Sequence, residues 1–147
     1  MSELYVLAMG EDDLDAIMEI EQASFSDPWT RDGFLESLKQ PYAKMFVAKK
    51  DSKVVGYCCL YYILDEGEII NVAIHPDCRG KGYGKMMLEH LLKEGKCVGV
   101  KRFVLDVRVS NTPGQRLYES AGFKKIALQK KFYDTPVEDG WLMEYMV

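Results

Sequence analysis

The chain has 147 residues, 48% of them hydrophobic and 29% charged, with 12 Gly, 5 Pro, 4 Cys and a formal net charge of −4. This predicts one packed domain over residues 1–147 and excludes a disordered chain, a repeat array and a disulfide-stapled miniprotein. The longest apolar run, Val54 to Leu64, is interrupted by Gly56 and falls short of the ~18 residues of a membrane span, and the acidic balance argues against nucleic acid as a partner.

The opening MSELYVLAMGEDDLD has no basic region ahead of an apolar stretch, so no secretory signal and a cytoplasmic location are expected. Leu4 to Ala8 reads as a strand. Glu11 to Ser24 carries Leu14, Ile17, Met18 and Ile20 at helical spacing. After Pro28, Thr30 can cap a second helix with Phe34, Leu35 and Leu38 inside, ended by Pro41. Lys44 to Lys49, Val54 to Leu64 and Glu68 to His75 follow as strands of an antiparallel meander, with turns at Asp51-Ser52 and Asp65-Glu66-Gly67.

Pro76 stops the third of these strands, and the loop DCRGKGYG leads into a helix bearing Met87, Leu88, Leu91 and Leu92. Arg102 to Val109 alternates as a strand, with Leu105, Val107 and Val109 on one face and Asp106, Arg108 and Ser110 on the other. Strand, helix and strand imply a parallel crossover. Thr112-Pro-Gly-Gln115 has the form of a capping box with Pro113 at the first helical position, and Gly122 ends the helix after Ala121. Phe123 to Leu128 and Trp141 to Val147 are further strands, joined by a long aromatic loop, KKFYDTPVEDG. The expected fold class is mixed α+β: a mostly antiparallel sheet of about seven strands with about four helices.

Cys58, Cys59, Cys78 and Cys97 have no CxxC spacing, and neither His75 nor His90 completes a zinc pattern, so neither a metal nor a Cys–His nucleophile is expected. Cys58 and Cys59 should point to opposite faces of their strand. The strongest chemical feature is Arg79-Gly80-Lys81-Gly82-Tyr83-Gly84, between a strand and a helix. Glycines allow close backbone approach, and the first helical N–H groups with the helix dipole favour phosphate. The loop is no P-loop, because Arg79 stands where the first glycine belongs and Met86 follows Gly84-Lys85. It is no dinucleotide fingerprint either, because Gly80, Gly82 and Gly84 give GxGxG. On its glycines alone it is a tight turn before a helix.

The wider pattern adds specificity. Val72-Ala-Ile-His-Pro, RGKGYG, Leu105-Asp-Val-Arg-Val-Ser-Asn111 and Arg116-Leu-Tyr-Glu-Ser-Ala-Gly-Phe123 resemble the GNAT superfamily of acetyl-CoA-dependent N-acetyltransferases, whose Q/R-x-x-G-x-G/A pattern is met by Arg79, Gly82 and Gly84. With FSDPW, EIINVAIHP and FYDTPVED in the same order, nearly the whole chain is similar to the bacterial RimI branch, which acetylates the alanine terminus of a small-subunit ribosomal protein.

The resemblance implies acetyl-CoA as co-substrate, no metal, and a protein N-terminal peptide as partner, with no membrane or nucleic acid; it leaves the oligomeric state open between a monomer and a weak dimer. It implies that Val72, Ala73 and Ile74 offer backbone groups to the acetyl and pantetheine portion. Arg79, Gly80, Lys81, Gly82, Tyr83, Gly84 and Lys85 would hold the diphosphate, and Asn111 would contact the coenzyme arm. Tyr118, beside the coenzyme, would be the general acid. Asp106 stands where the branch has glutamate and is its candidate base, with Glu68 the rival; the alternative for Asp106 is an ion pair with Arg108. Phe132 and Tyr133 would grip the substrate backbone. Phe25 and Trp29 would line the peptide entrance or pack the helix pair. Acetylation of a small amine or lysine, and a non-catalytic coenzyme-binding module, stand as alternatives.

Overall fold

The computed structural model describes residues 3–147. β1 (Leu4–Ala8), β2 (Ala43–Lys50), β3 (Lys53–Ile63) and β4 (Glu66–Ile74) pair antiparallel in chain order. The β2–β3 turn puts Asp51 and Ser52 at φ 52° and 66°, the left-handed pair that a two-residue hairpin needs. The β3–β4 turn falls earlier than its sequence suggests. Leu64 (φ 54°) precedes Asp65, and Glu66 and Gly67 are already strand. Gly67 answers to packing instead: a Cβ there would come within 3.0 Å of Val100 Cγ1 and 3.1 Å of Leu60 Cδ1.

Glycine-led α3 (Tyr83–Cys97) carries the chain back to β5 (Arg102–Arg108), which lies parallel to β4. The last two strands, β6 (Lys124–Asp134) and β7 (Val137–Met146), complete a sheet of order β1-β2-β3-β4-β5-β7-β6. The segment KKFYDTPVEDG is therefore no loop. Both strands run on to a turn at Thr135-Pro136, with Tyr133 paired to Glu138 and Asp134 to Val137. The hairpin bends where Lys131 takes φ 51° and its N–H donates to Asp139 Oδ1 at 2.8 Å, and that irregularity hides the strands' alternation.

Two helical layers bury the sheet's faces. Met87, Leu88, Leu91 and Leu92 of α3 pack with Cys58, Leu60, Ile69, Phe103, Leu105 and Val107, joined by Leu117 and Tyr118 of α4 (Thr112–Ser120). On the other face, Leu14, Ile17 and Ile20 of α1 (Leu14–Ser24) and Phe34 of α2 (Arg31–Leu38) pack with Val47, Tyr57, Cys59 and Ala73. The four cysteines are free, and Cys58 and Cys59 do face opposite ways. Helix α1 is entered through a single 3-10 turn, Glu11–Asp13. Thr30 caps α2 as expected, its Oγ1 accepting from Gly33 N at 3.0 Å. Among the described residues no helix is long and apolar enough to cross a membrane.

The cap of α4 differs from expectation. Asn111, not Thr112, is the N-cap, with Oδ1 accepting from Gly114 N at 2.9 Å. Gln115 does not reach back to the cap; its amide donates to the carbonyls of Arg108 at 3.0 Å and Val109 at 2.9 Å, fastening α4 to the end of β5.

Candidate active site

The site starts from one irregularity. Cys59 pairs with Asn71 and Leu60 with Ile69, so Ile70 is an extra, bulged residue of β4. Below the bulge β4 pairs with β5 only through Glu66–Glu68 against Arg102–Val104; above it the two strands part. His75 donates its N–H to Val55 O at 2.8 Å, on the β3 side. Strand alternation then turns the peptide groups of Val72 and Ile74 into the gap, and those of Ala73 toward β3. Arg79 Nε donates to Ile74 O at 3.1 Å from the open side.

The glycine loop closes one end of this gap. Gly80 and Gly82 have φ 79° and 82°, and a Cβ on either would meet nothing within 4 Å. Their role is backbone shape and open approach. Gly82 is the N-cap of the 15-residue α3 and provides no side-chain acceptor for its first amides. Those amides, the dipole behind them and exposed Lys81 and Lys85 form a cradle that fits a diphosphate. Arg79 also donates to Ser24 Oγ at 3.2 Å, so it braces the loop against α1. Tyr83 OH accepts from Lys50 Nζ at 2.9 Å, which holds that ring at the loop's flank. Gly84 serves packing: a Cβ would lie 3.2 Å from Leu117 Cδ2. The oxygen of Asn111 is committed to the α4 cap.

The α1 face of the sheet carries the acidic candidates. Residues Phe103, Leu105 and Val107 of β5 are buried toward α3, which sends Asp106 and Arg108 to the α1 face. Glu68 lies on that face too, paired with Val104. Burial, then the nearby Asp106 charge, raises the Glu68 carboxyl above its ordinary range. The expected alternative for Asp106 does not occur: Arg108 pairs with Glu138 at 3.1 Å, and Asp106 Oδ1 accepts from Gln129 Nε2 at 2.7 Å. Tyr118 is held by α4 with its ring 6.1 Å from Phe123. Burial raises its phenol well above the usual tyrosine range, with nearby Tyr133 and Cys58 adding to the effect. Tyr133 is pushed up to about 12 by burial and by Asp106. The Asp106 charge thus acts on both Glu68 and Tyr133, while Tyr118 stands on the α3 side of the sheet.

The aromatic candidates divide. Trp29 packs the helix pair, its ring 5.1 Å from Phe34 and 6.3 Å from Tyr61. Phe25 lies at the surface after α1. Phe132 and Tyr133 meet edge to face at 5.0 Å over Gly140, where a Cβ would come within 2.9 Å of Tyr133 Cε2. Gln129 and Gly140 carry no signal in the sequence that marks them out. Glu21 does: it stands at i, i+3, i+7 with Leu14 and Ile17, a carboxylate in the buried stripe of α1. It is 1% exposed and accepts from Tyr57 OH, from Trp29 N at 2.9 Å and from Asn71 Nδ2 at 3.4 Å. One carboxylate therefore ties α1, the α1–α2 segment, β3 and β4 together.

The sequence pattern of the acetyltransferase (GNAT) family matches residues 14–123. The chain belongs to the GNAT family. It is an acetyl-CoA-dependent N-acetyltransferase, and the cradle and open strand edge just described fit that coenzyme. The GNAT chain is 38% identical to a Bacillus subtilis (strain 168) protein over 90% of its own length and 88% of the other's. It is 34% identical to the ribosomal protein bS18-alanine N-acetyltransferase of Escherichia coli (strain K12), over 87% of this chain and 84% of that one. The crystal structure of the ribosomal-protein-S18-alanine N-acetyltransferase from Escherichia coli superposes with a TM-score of 0.90 at 28% identity, covering 99% of this chain and 94% of that one.

Proposed function

We propose that this enzyme acetylates the α-amino group of a protein N-terminus, with the alanine terminus of ribosomal protein bS18 as its substrate in the cytoplasm. The substrate reading is supported by the names of relatives that match along most of both chains. The chemical reading is carried by one observation: Asp106 and Glu68 share the α1 face of the sheet at the point where the β4–β5 pairing ends.

An α-amino group has a pKa near ~8, so a carboxylate needs to remove a proton from only a mildly basic ammonium. Asp106 takes that proton, directly or through a water, with Glu68 beside it as the second acceptor. The amine nitrogen bonds to the acetyl carbon as the carbon–sulfur bond breaks. An N–H group at the open edge of β4, from Val72 or Ile74, donates to the carbonyl oxygen as charge builds there. Tyr118, kept protonated by its burial, passes its phenolic proton to the departing sulfur. Bound acetyl-CoA supplies the activated thioester; the chain supplies grip, orientation and proton transfer.

The test offers purified enzyme and acetyl-CoA three acceptors: a peptide with the bS18 N-terminal sequence, a terminally blocked peptide whose only amine is lysine, and a polyamine. Mass spectrometry should find acetyl on the first alone. Preferential acetylation of the lysine or the polyamine would overturn the reading.

A further inference from the structure

The α1–α2 segment and the β6–β7 turn meet, although 109 residues separate the groups that touch. Ser26 Oγ donates to the carbonyl of Thr135. The same carbonyl accepts from Arg108 Nη2 at 2.9 Å, while Arg108 Nη1 reaches Pro136 O at 3.0 Å and Glu138 Oε1 at 3.1 Å. The guanidinium lies 4.3 Å from the centre of the Tyr133 ring. Glu138 Oε2 in turn accepts from Ser110 N at 2.7 Å. The planar fork of arginine thus spans two turn carbonyls, a carboxylate and an aromatic face at once, which lysine cannot do.

The two joined segments hang from opposite sides of the gap. Glu21 anchors the α1–α2 segment to Asn71 of β4; Arg108 anchors the turn to β5. We propose that Arg108 is a positioning residue for the substrate peptide, fixing the β6–β7 turn and the Tyr133 ring so that turn and α1–α2 segment bridge the gap between β4 and β5. Arg108 touches no reacting atom in this scheme. It keeps the entrance in the shape that receives a chain terminus, and the inference rests on the proposed reading that a terminus enters there.

Steady-state kinetics with an alanine-initiated peptide and acetyl-CoA test it in Arg108→Met, Arg108→Lys and Ser26→Ala. In Arg108→Met the KM for peptide should rise about tenfold, as expected for losing charge-assisted hydrogen bonds, while kcat falls far less and the KM for acetyl-CoA holds. Arg108→Lys should recover little, because a point charge cannot span both carbonyls. Ser26→Ala should raise the peptide KM by a smaller factor and add little to Arg108→Met, since both act through Thr135. An unchanged peptide KM in folded Arg108→Met, or a parallel rise in the acetyl-CoA KM, overturns the proposal. If Arg108→Met does not fold, exposed Ser26→Ala decides: an unchanged peptide KM there overturns it as well. Wild-type turnover of the peptide tests the terminus reading separately, so failure of the one is distinguishable from failure of the other.

Discussion

Gln129 reaches from β6 across β7 to donate to Asp106 Oδ1 at 2.7 Å. Its β7 partner is Gly140, which has no side chain to stand in the way. The bond fixes one oxygen of the candidate base and leaves Oδ2 for the amine. Gln129→Leu should therefore lower kcat by about tenfold, and Asp106→Asn by roughly a hundredfold or more, the range of lost general-base catalysis. Glu68→Gln should cost less than Asp106→Asn. Initial rates at saturating acetyl-CoA check the order, and the reverse order would make Glu68 the base. In that case Asp106→Asn, by removing a charge that raises Glu68, should move the acid limb of the pH profile to lower pH.

Replacing Tyr118 with Phe removes the proton but keeps the ring that packs against Phe123. The expected outcome is a fall in kcat of about a hundredfold or more with the acetyl-CoA affinity kept. Calorimetric titration beside single-turnover rates separates the two. Because burial raises the phenol, the wild type should show no loss of kcat from its ionisation up to the ordinary tyrosine range, near pH ~10.

Gly82 is the sharpest test of the cradle. Its φ of 82° is costly for any other residue, by roughly 1–2 kcal/mol, and a Cβ there projects into open space. Gly82→Ala should raise the Kd for acetyl-CoA by about tenfold while the melting temperature falls only a few degrees, about what ~1 kcal/mol costs a domain of this size. An unchanged Kd would remove Gly82 from the coenzyme site.

Glu21 makes stability depend on pH. Burial raises its carboxyl, against hydrogen bonds from Tyr57 and Trp29 that lower it. A carboxyl whose folded pKa exceeds its unfolded value binds more protons in the folded state. Stability from that group is full below the unfolded pKa and is lost as pH rises through the folded one. Glu21→Gln removes this dependence, so its urea midpoint, compared with wild type, should look better at pH 8 than at pH 5. A difference independent of pH would contradict the raised carboxyl.

Helix and strand positions were legible wherever one face is buried and the other wet. The stripe of Leu14, Ile17 and Ile20 and the alternation of β5 both reappear in the core. The far half of the last hairpin was not, because Lys130 to Tyr133 are split by a left-handed residue and so lose the two-residue period. The α4 cap lies one residue before the position its sequence pattern suggests, because Asn111 and Thr112 are both good caps and only the Asn111 bond to Gly114 distinguishes them. At the site, residues with a local pattern, the glycines above all, could be read from the chain. Gln129, Gly140 and the clamp by Arg108 arise from pairing across β7, between segments far apart in sequence, and no local spacing encodes them.

The extra residue at Ile70 has a consequence for engineering. Removing it to regularise β4 would let that strand continue beside β5, and its outward amides would pair with that strand instead of facing the thioester of the proposed reaction. Such a variant would be a better-zipped scaffold with nowhere for chemistry to happen. Consensus-style idealisation of this sheet should stop one residue short of that position.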